Sequence, residues 1–277
     1  MRCDALLLVL LGSTLLASGA AAADATPKSI AKADAELTGR DVYQCVVDNR
    51  FRTYILDARL VSGDRGVAVQ ESKLQMTWSS FRDDKDKPVG GVLSKTIVRY
   101  LEPFDLRYSG YLVVNNDGKP NDQFVYLNAR RKVRRVNLRE EAVFGTDFTF
   151  EDIIPNDIAD ADYKRLPDQD LEGHRVYVIE VVPKPEENSE YSKFVAHIDK
   201  TNCVPLLTRY WDGKGVEVKQ LTAIADKIKE VEGVHWPMEL TMRNLQLESY
   251  TTLLVENLKP NPKLERRDFD LRRLESH

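Results

Sequence analysis

From residue 52 to residue 256 the chain returns again and again to one local pattern. A short run rich in β-branched and aromatic residues is closed by a cluster of Gly, Asn, Asp or Pro. Such runs read as strands and such clusters as turns. Residues 52–61 and 67–78 flank Ser62-Gly63-Asp64-Arg65-Gly66, and a second hairpin crosses the charged tip 82–88 into residues 92–101. Asn115-Asn116-Asp117-Gly118 folds 108–114 onto 123–127, which pairs in turn with 132–136 across Asn128-Ala129. Strands resume at 174–182, 193–199, 204–211, 216–225, 228–235, 238–247 and 251–256, with turns at 199–202, 212–215 and 232–233. Connections this short join sequence neighbours, which predicts one antiparallel sheet. About a dozen strands in one sheet leave long open edges unless the sheet curls or is capped, so a barrel or half-barrel is expected.

Other segments break the pattern. Val42, Cys45, Val46 and Asn49 fall at helical spacing, and Thr38 with Asp41 can cap the start, which predicts an amphipathic helix over 38–49. Gly145 marks a sharp bend surrounded by Phe144, Phe148 and Phe150, a loop that carries its own apolar anchors. Thr149, with Asp152 three residues later, predicts the N-terminus of a short helix. Residues 151–173 read as a helix-and-loop excursion; their paired aspartates (Asp160, Asp162, Asp168, Asp170) lack the glycine and terminal glutamate of a calcium loop. The tail from Lys259 is charged, with Phe269 and Leu271 as its expected anchors.

The N-terminus reads differently again. Arg2, an apolar run over 5–16 and small residues through Ala23 form a secretory signal-peptide pattern, with cleavage expected after Ala23. A run of this length is shorter than the ~20 residues a membrane-spanning helix needs. The expected organisation is signal peptide 1–23, a loose leader 24–36 and a single domain 37–277, exported without a lipid anchor. Cys45 and Cys203 remain after cleavage, and an oxidising compartment permits a disulfide between them; two buried thiols are the alternative. A formal net charge of −4 lacks the footprint of a nucleic-acid binder. The exception is the local run Arg130, Arg131, Lys132, Arg134 and Arg135, which reads as the solvated face of a hairpin strand or as a docking patch for acidic lipid headgroups or an acidic partner.

No catalytic constellation is visible. The four histidines have no ligand spacing, so no metal is expected, and there is no nucleophile elbow, phosphate-cradling loop or dinucleotide fingerprint. The chain therefore reads as a binding protein without cofactor rather than an enzyme. Val176-Tyr177-Val178-Ile179, Phe194-Val195-Ala196 and Leu253-Leu254-Val255 are apolar on both alternating faces. If one face packs on helices, the other lines something apolar. An acyl chain suits such a space, because each methylene removed from water gains ~0.8 kcal/mol. The candidate lining residues are Trp78, Tyr100, Tyr126, Phe148, Trp211, Trp236 and Met242, large and adaptable side chains.

One set of motifs carries a resemblance. Tyr126-Leu127, Ala129, Arg131-Lys132 and Arg134-Arg135, followed by the run from Gly145 through Thr146, Asp147, Phe148, Thr149, Phe150 and Glu151 to Asp152, resemble the signature of outer-membrane lipoprotein-sorting proteins, a family related to the periplasmic carrier LolA. The likeness extends from Thr38-Gly39-Arg40 through Val61-Ser62-Gly63-Asp64-Arg65 to Asp268-Phe269. It implies an incomplete antiparallel β-barrel whose concave side is covered by the N-terminal helix and the segment after Phe148. It also implies a monomeric periplasmic carrier that takes a lipoprotein or lipid cargo toward an outer-membrane acceptor, beside an inner-membrane export pump. The alternative is a cell-envelope sensor or regulator of the same fold that binds a protein partner.

Overall fold

The computed structural model describes residues 34–66, 69–136, 141–154 and 157–275. The signal peptide and residues 24–33 of the expected leader lie outside the described residues, while Asp34–Glu36 form one 3-10 turn. The helix α1 (Gly39–Asp48) starts where the sequence places it. Thr38 Oγ accepts from the Asp41 backbone N–H at 3.1 Å, and the Asp41 carboxylate accepts from the Thr38 N–H at 2.9 Å, a reciprocal capping box.

Six strands follow: β1 (Thr53–Gly63), β2 (Gln70–Ser80), β3 (Val92–Glu102), β4 (Gly110–Asn116), β5 (Asp122–Leu127) and β6 (Lys132–Val136). After the loop 141–154 come β7 (Ala161–Leu171), β8 (His174–Pro183), β9 (Tyr191–Asp199), β10 (Pro205–Asp212) and β11 (Glu217–Ala223). The chain ends with β12 (Ile228–Val231), β13 (Val234–Pro237), β14 (Glu239–Asn244), β15 (Ser249–Pro260) and the short helix α2 (Leu271–Glu275). Thirteen strands form one antiparallel sheet in the order β6-β5-β4-β3-β2-β1-β15-β14-β11-β10-β9-β8-β7. The sheet is curved and does not close into a barrel, leaving β6 and β7 as edges. The two halves of the meander meet where β15 returns beside β1, with Leu60 opposite Leu253 and Tyr54 opposite Pro260.

Alternation sorts side chains between two faces. On the concave face, Leu56, Ala58, Leu60, Leu74, Val98, Tyr100, Tyr111 and Val113 pack with Val143 and Phe150 of the loop. Further along the same face Val42 and Tyr43 of α1 pack on Tyr177, Ile179, Phe194 and Ala196. The convex face carries two smaller clusters: Leu112 and Tyr126 under Phe269 and Leu274 of the C-terminal segment, and Val176, Val178, Val195 and Leu206 near Trp211. Gly39 explains how closely α1 seats, since a Cβ there would lie 2.8 Å from the Arg165 backbone nitrogen on β7. Cys45 and Cys203 form a disulfide with Cα atoms 5.8 Å apart, bonding α1 to the β9–β10 turn.

Four expectations are corrected. Residues 161–171 form a strand, not a loop excursion: β7 is an edge strand, where the charges and Pro167 are tolerated, and its register shifts between Leu166 and Gln169 at that proline. Thr149 does bond Asp152, through its N–H at 2.8 Å and its hydroxyl at 3.0 Å, yet no helix follows. Asp152 is instead held by residues of the sheet. Residues 228–237 leave the main sheet as a separate hairpin, β12 with β13. In the tail Phe269 is buried as expected, but Leu274 and not the exposed Leu271 completes the anchor.

Candidate functional site

The concave face does not fill. Between the two halves of its core lies a cavity of about 420 Å³, walled chiefly by apolar side chains. Strands supply its floor, with Leu56 and Leu60 from β1, Leu74 and Met76 from β2, and Leu240 and Leu253 from β14 and β15. Three separate covers close over it: α1 with Tyr43 and Val46, the loop 141–154 with Val143, Phe148 and Ile153, and the β12–β13 hairpin with Trp236 and Pro237.

Each cover has its own fastening. The disulfide holds α1, and at its C-terminal end Asn49 exchanges two hydrogen bonds with the His235 backbone, at 2.9 and 2.8 Å, which ties helix to hairpin. The loop is held at two points. Asp147 binds Thr251 of β15 through its backbone N–H at 3.0 Å and its carboxylate at 2.8 Å. Asp152, whose side chain is 1% exposed, accepts from Lys219 Nζ at 2.9 Å and from the Tyr191 hydroxyl at 2.8 Å. Lys219 also reaches Tyr191 Oη at 2.9 Å and lies 4.0 Å from Glu190, whose carboxyl pKa burial pushes up. Lys219 shares its face of β11 with Leu221 and Ala223. A lysine at an inward position of an otherwise apolar face is the signal that sequence reading passed over.

The predicted lining residues divide by strand face. Tyr100, Phe148 and Trp236 line the cavity. Trp78 is on the concave face but one ring beyond it, stacked on Tyr54 at 5.5 Å. Met242 is fully buried on the same face of β14 as Leu240, between Leu221 and Thr251, and packs in the core. Tyr126 and Trp211 are corrections: both point from the convex face. Tyr126 sits under the C-terminal segment with Phe269, and Trp211 lies beneath Lys193 and Arg209, whose cationic groups are 5.2 and 5.3 Å from its ring. Beside Tyr43 of α1 and Phe194, the aromatic lining not foreseen includes three tyrosines of the sheet, Tyr54, Tyr111 and Tyr210. Burial raises the pKa of all three phenols, which keeps them neutral. Among the described residues, the buried side-chain polar atoms without a hydrogen-bond partner are Tyr100 Oη, in the cavity wall, and Trp78 Nε1, beside it. Orphaned polar atoms are uncommon in folded interiors, and both fall here.

The basic run forms the other candidate surface. Arg130 and Arg131 sit at the turn and Lys132, Arg134 and Arg135 on edge strand β6; all five are exposed. Arg135 pairs with Asp122, and Val133 between them packs inward. Positive charge along an open edge discourages strand addition by other chains, so this placement has a structural use as well.

Solved structures share this architecture. A domain from Vibrio parahaemolyticus described as an outer membrane lipoprotein-sorting protein domain is 23% identical with a TM-score of 0.77, over 86% of this chain and 98% of that one. A DUF1329 family protein from Desulfovibrio piger is 21% identical with a TM-score of 0.77, over 86% and 99%. A LolA superfamily protein from Nitrosomonas europaea is 15% identical with a TM-score of 0.67, over the same shares. Among curated proteins none matches the chain. A family profile whose description reads only "uncharacterized protein" matches residues 93–276. The chain belongs to that family and has the LolA-type fold of the lipoprotein-sorting domain.

Proposed function

We propose that the protein is a periplasmic carrier that shields the acyl chains of a lipoprotein or lipid in its concave cavity and ferries them toward the outer membrane. The observation that carries this reading is the cavity itself, large, mainly apolar and flanked by covers on three different chain segments. Apolar pockets of ~300–1,000 Å³ are the usual size for a bound small molecule. The name of the Vibrio relative, which concerns lipoprotein sorting, points in the same direction. In this reading the exposed basic edge, Arg130 to Arg135, docks on acidic headgroups or on an acidic partner such as an inner-membrane export pump. Release follows when an acceptor at the outer membrane offers the cargo a better site.

The test is mass spectrometry of organic extracts from protein purified from its native envelope without detergent, beside a matched unrelated protein. A specific lipid or lipopeptide at near-stoichiometric amount is expected. The variant Trp236→Asp places a charge in the cavity wall and should lose that lipid while retaining the circular dichroism of the native fold. Equal lipid in a folded Trp236→Asp protein would refute the cavity as the binding site.

A further inference from the structure

The hairpins of the sheet turn at its two ends, and one end carries the most exposed large apolar side chains among the described residues. β1, β3, β14 and β10 run toward that end, where Gly63 lies opposite Tyr250, Lys73 opposite Glu102, Asn244 opposite Ser249 and Trp211 opposite Glu217. The connections there hold Phe104 (β3–β4, 90% exposed), Val69 (β1–β2, 54%), Leu247 (β14–β15, 71%) and Val216 (β10–β11, 50%). In the connections at the opposite end, large apolar side chains reach only 37%, at Val89 and Ile224. A single exposed apolar residue is ordinary; one on each of four hairpins at the same end is not.

Strand order fixes how these tips are arranged. The four hairpins occupy β4-β3, β2-β1, β15-β14 and β11-β10, each two strands from the next, so neighbouring tips stand roughly 10 Å apart. Exposed cations accompany them: Arg107 on the loop of Phe104, Arg65 on that of Val69, Arg243 at the end of β14 and Lys214 beside Val216. The β5–β6 hairpin continues the row with Arg130 and Arg131. Most acids at these tips, the exposed Asp105 apart, are engaged. Asp64 accepts from the Gly66 N–H at 3.0 Å, and Asp212 from the Lys214 and Val216 N–H groups, each at 2.9 Å. Glu248 pairs with Arg65 at 2.6 Å and Glu102 with Lys73 at 3.2 Å. The row stops at the β8–β9 connection, which carries Glu186 and Glu187.

We infer that this end of the sheet is a membrane-docking rim, on which Phe104, Val69, Leu247 and Val216 enter the interfacial layer of an anionic bilayer while Arg107, Lys214, Arg130 and Arg131 meet its phosphates. The spacing favours a bilayer over a protein partner. A protein interface is built around a continuous, closely packed core, and tips separated by turn backbone do not supply one. A bilayer takes up separate apolar side chains one by one, and cations a few residues away reach the headgroup level. The rim is an outer surface, so the inference holds whatever the cavity contains.

The test is cosedimentation of the protein, purified from its native envelope, with vesicles of phosphatidylcholine alone or with about one quarter phosphatidylglycerol. The anionic vesicles should bind roughly fivefold more tightly or better, and that excess should fall at high salt. Phe104→Ser combined with Leu247→Ser should weaken binding to them about tenfold or more. Both side chains stand in water, so circular dichroism should be unchanged. Val89→Ser with Ile224→Ser, at the opposite end, should leave binding within about twofold. Phe104→Trp should add vesicle-dependent quenching by brominated lipid beyond that of the native tryptophans, which places this tip in the bilayer. No vesicle binding by the wild-type protein, undiminished binding by the Phe104 and Leu247 double variant, or an equal loss from the opposite-end pair overturns the membrane rim. Lipid that copurifies with the protein tests the carrier reading separately, so either reading can fail alone.

Discussion

The contact between Lys219 and Asp152 is where the structure commits most to one geometry, and Lys219→Met tests it. The lysine side chain is 7% exposed and the carboxylate 1%, so water can replace neither partner. Methionine keeps most of the volume and removes the ammonium, taking away the bonds to Asp152 and to Tyr191 Oη, each 2.9 Å long. Asp152 retains Thr149 and Tyr191 as donors but loses its counter-charge. Breaking a buried pair from one side costs about 3–5 kcal/mol. For a domain of this size each kcal/mol moves Tm by roughly 2–4 °C, so a fall of roughly 6–20 °C is expected. Thermal unfolding followed by circular dichroism measures it. Asp152→Asn added to Lys219→Met should recover more than half of the loss, because the uncompensated charge is then gone. Hydrogen exchange should place the remaining defect in the loop 141–154, which Asp152 fastens. A fall of less than about 2 °C in the single variant would refute the claim that this pair holds the loop over the cavity.

Three further outcomes follow from the same structure. Cys45 and Cys203 lie 158 residues apart, and in the chain-entropy model their bond stabilises by about 5 kcal/mol; paired Cys→Ser variants should unfold at correspondingly lower denaturant, with α1 exchanging first. Gly39→Val should destabilise by about 1–3 kcal/mol and raise exchange in α1, because its Cβ would meet the Lys164 and Arg165 backbone within 2.9 Å. His197 is 6% exposed and burial lowers its imidazole pKa, so the unfolded chain takes up the proton first as pH falls below ~6.5. Its stability contribution is complete above that pH and is lost beneath it; His197→Gln should flatten the Tm–pH curve between about pH 7 and 5.

What the sequence disclosed follows from the range over which each signal acts. The α1 cap and stripe are contained within the residues from Thr38 to Asn49, and the hairpin turns within a few residues each, so both could be read directly. β7 could not, because an edge strand has one side in water and its charges erase the alternation that marks buried strands. The cavity lining was legible by residue type and not by side. Period-two alternation says that Tyr210 and Trp211 face opposite ways, but which way is inward depends on how the whole sheet curves. Choosing by residue type alone named Trp211 and Tyr126 and passed over Tyr210 and Tyr111, which the curvature turns inward. The Lys219–Asp152 and Asp147–Thr251 fastenings join segments 67 and 104 residues apart, a relation no local pattern encodes.

The fastenings and the cavity explain one another. The hollow of about 420 Å³ is open to water on one side and presents a mainly apolar wall, which costs free energy for as long as it stays uncovered. A sheet flanked by loose covers would lower that cost by folding them into the hollow. Here Phe148 and Trp236 already reach the wall, and what keeps them from filling it is the backbone behind them. The loop is bonded at Asp147 and Asp152, the hairpin is tied to Asn49, and α1 is tied to the sheet by the disulfide and the close seat of Gly39. Several of these ties, Asn49, Asp152 and Cys203 among them, are themselves part of the cavity wall, so its polar positions are the ones that hold the space open. An acyl chain that enters the hollow covers this apolar wall, and apolar contact makes little demand on chain shape.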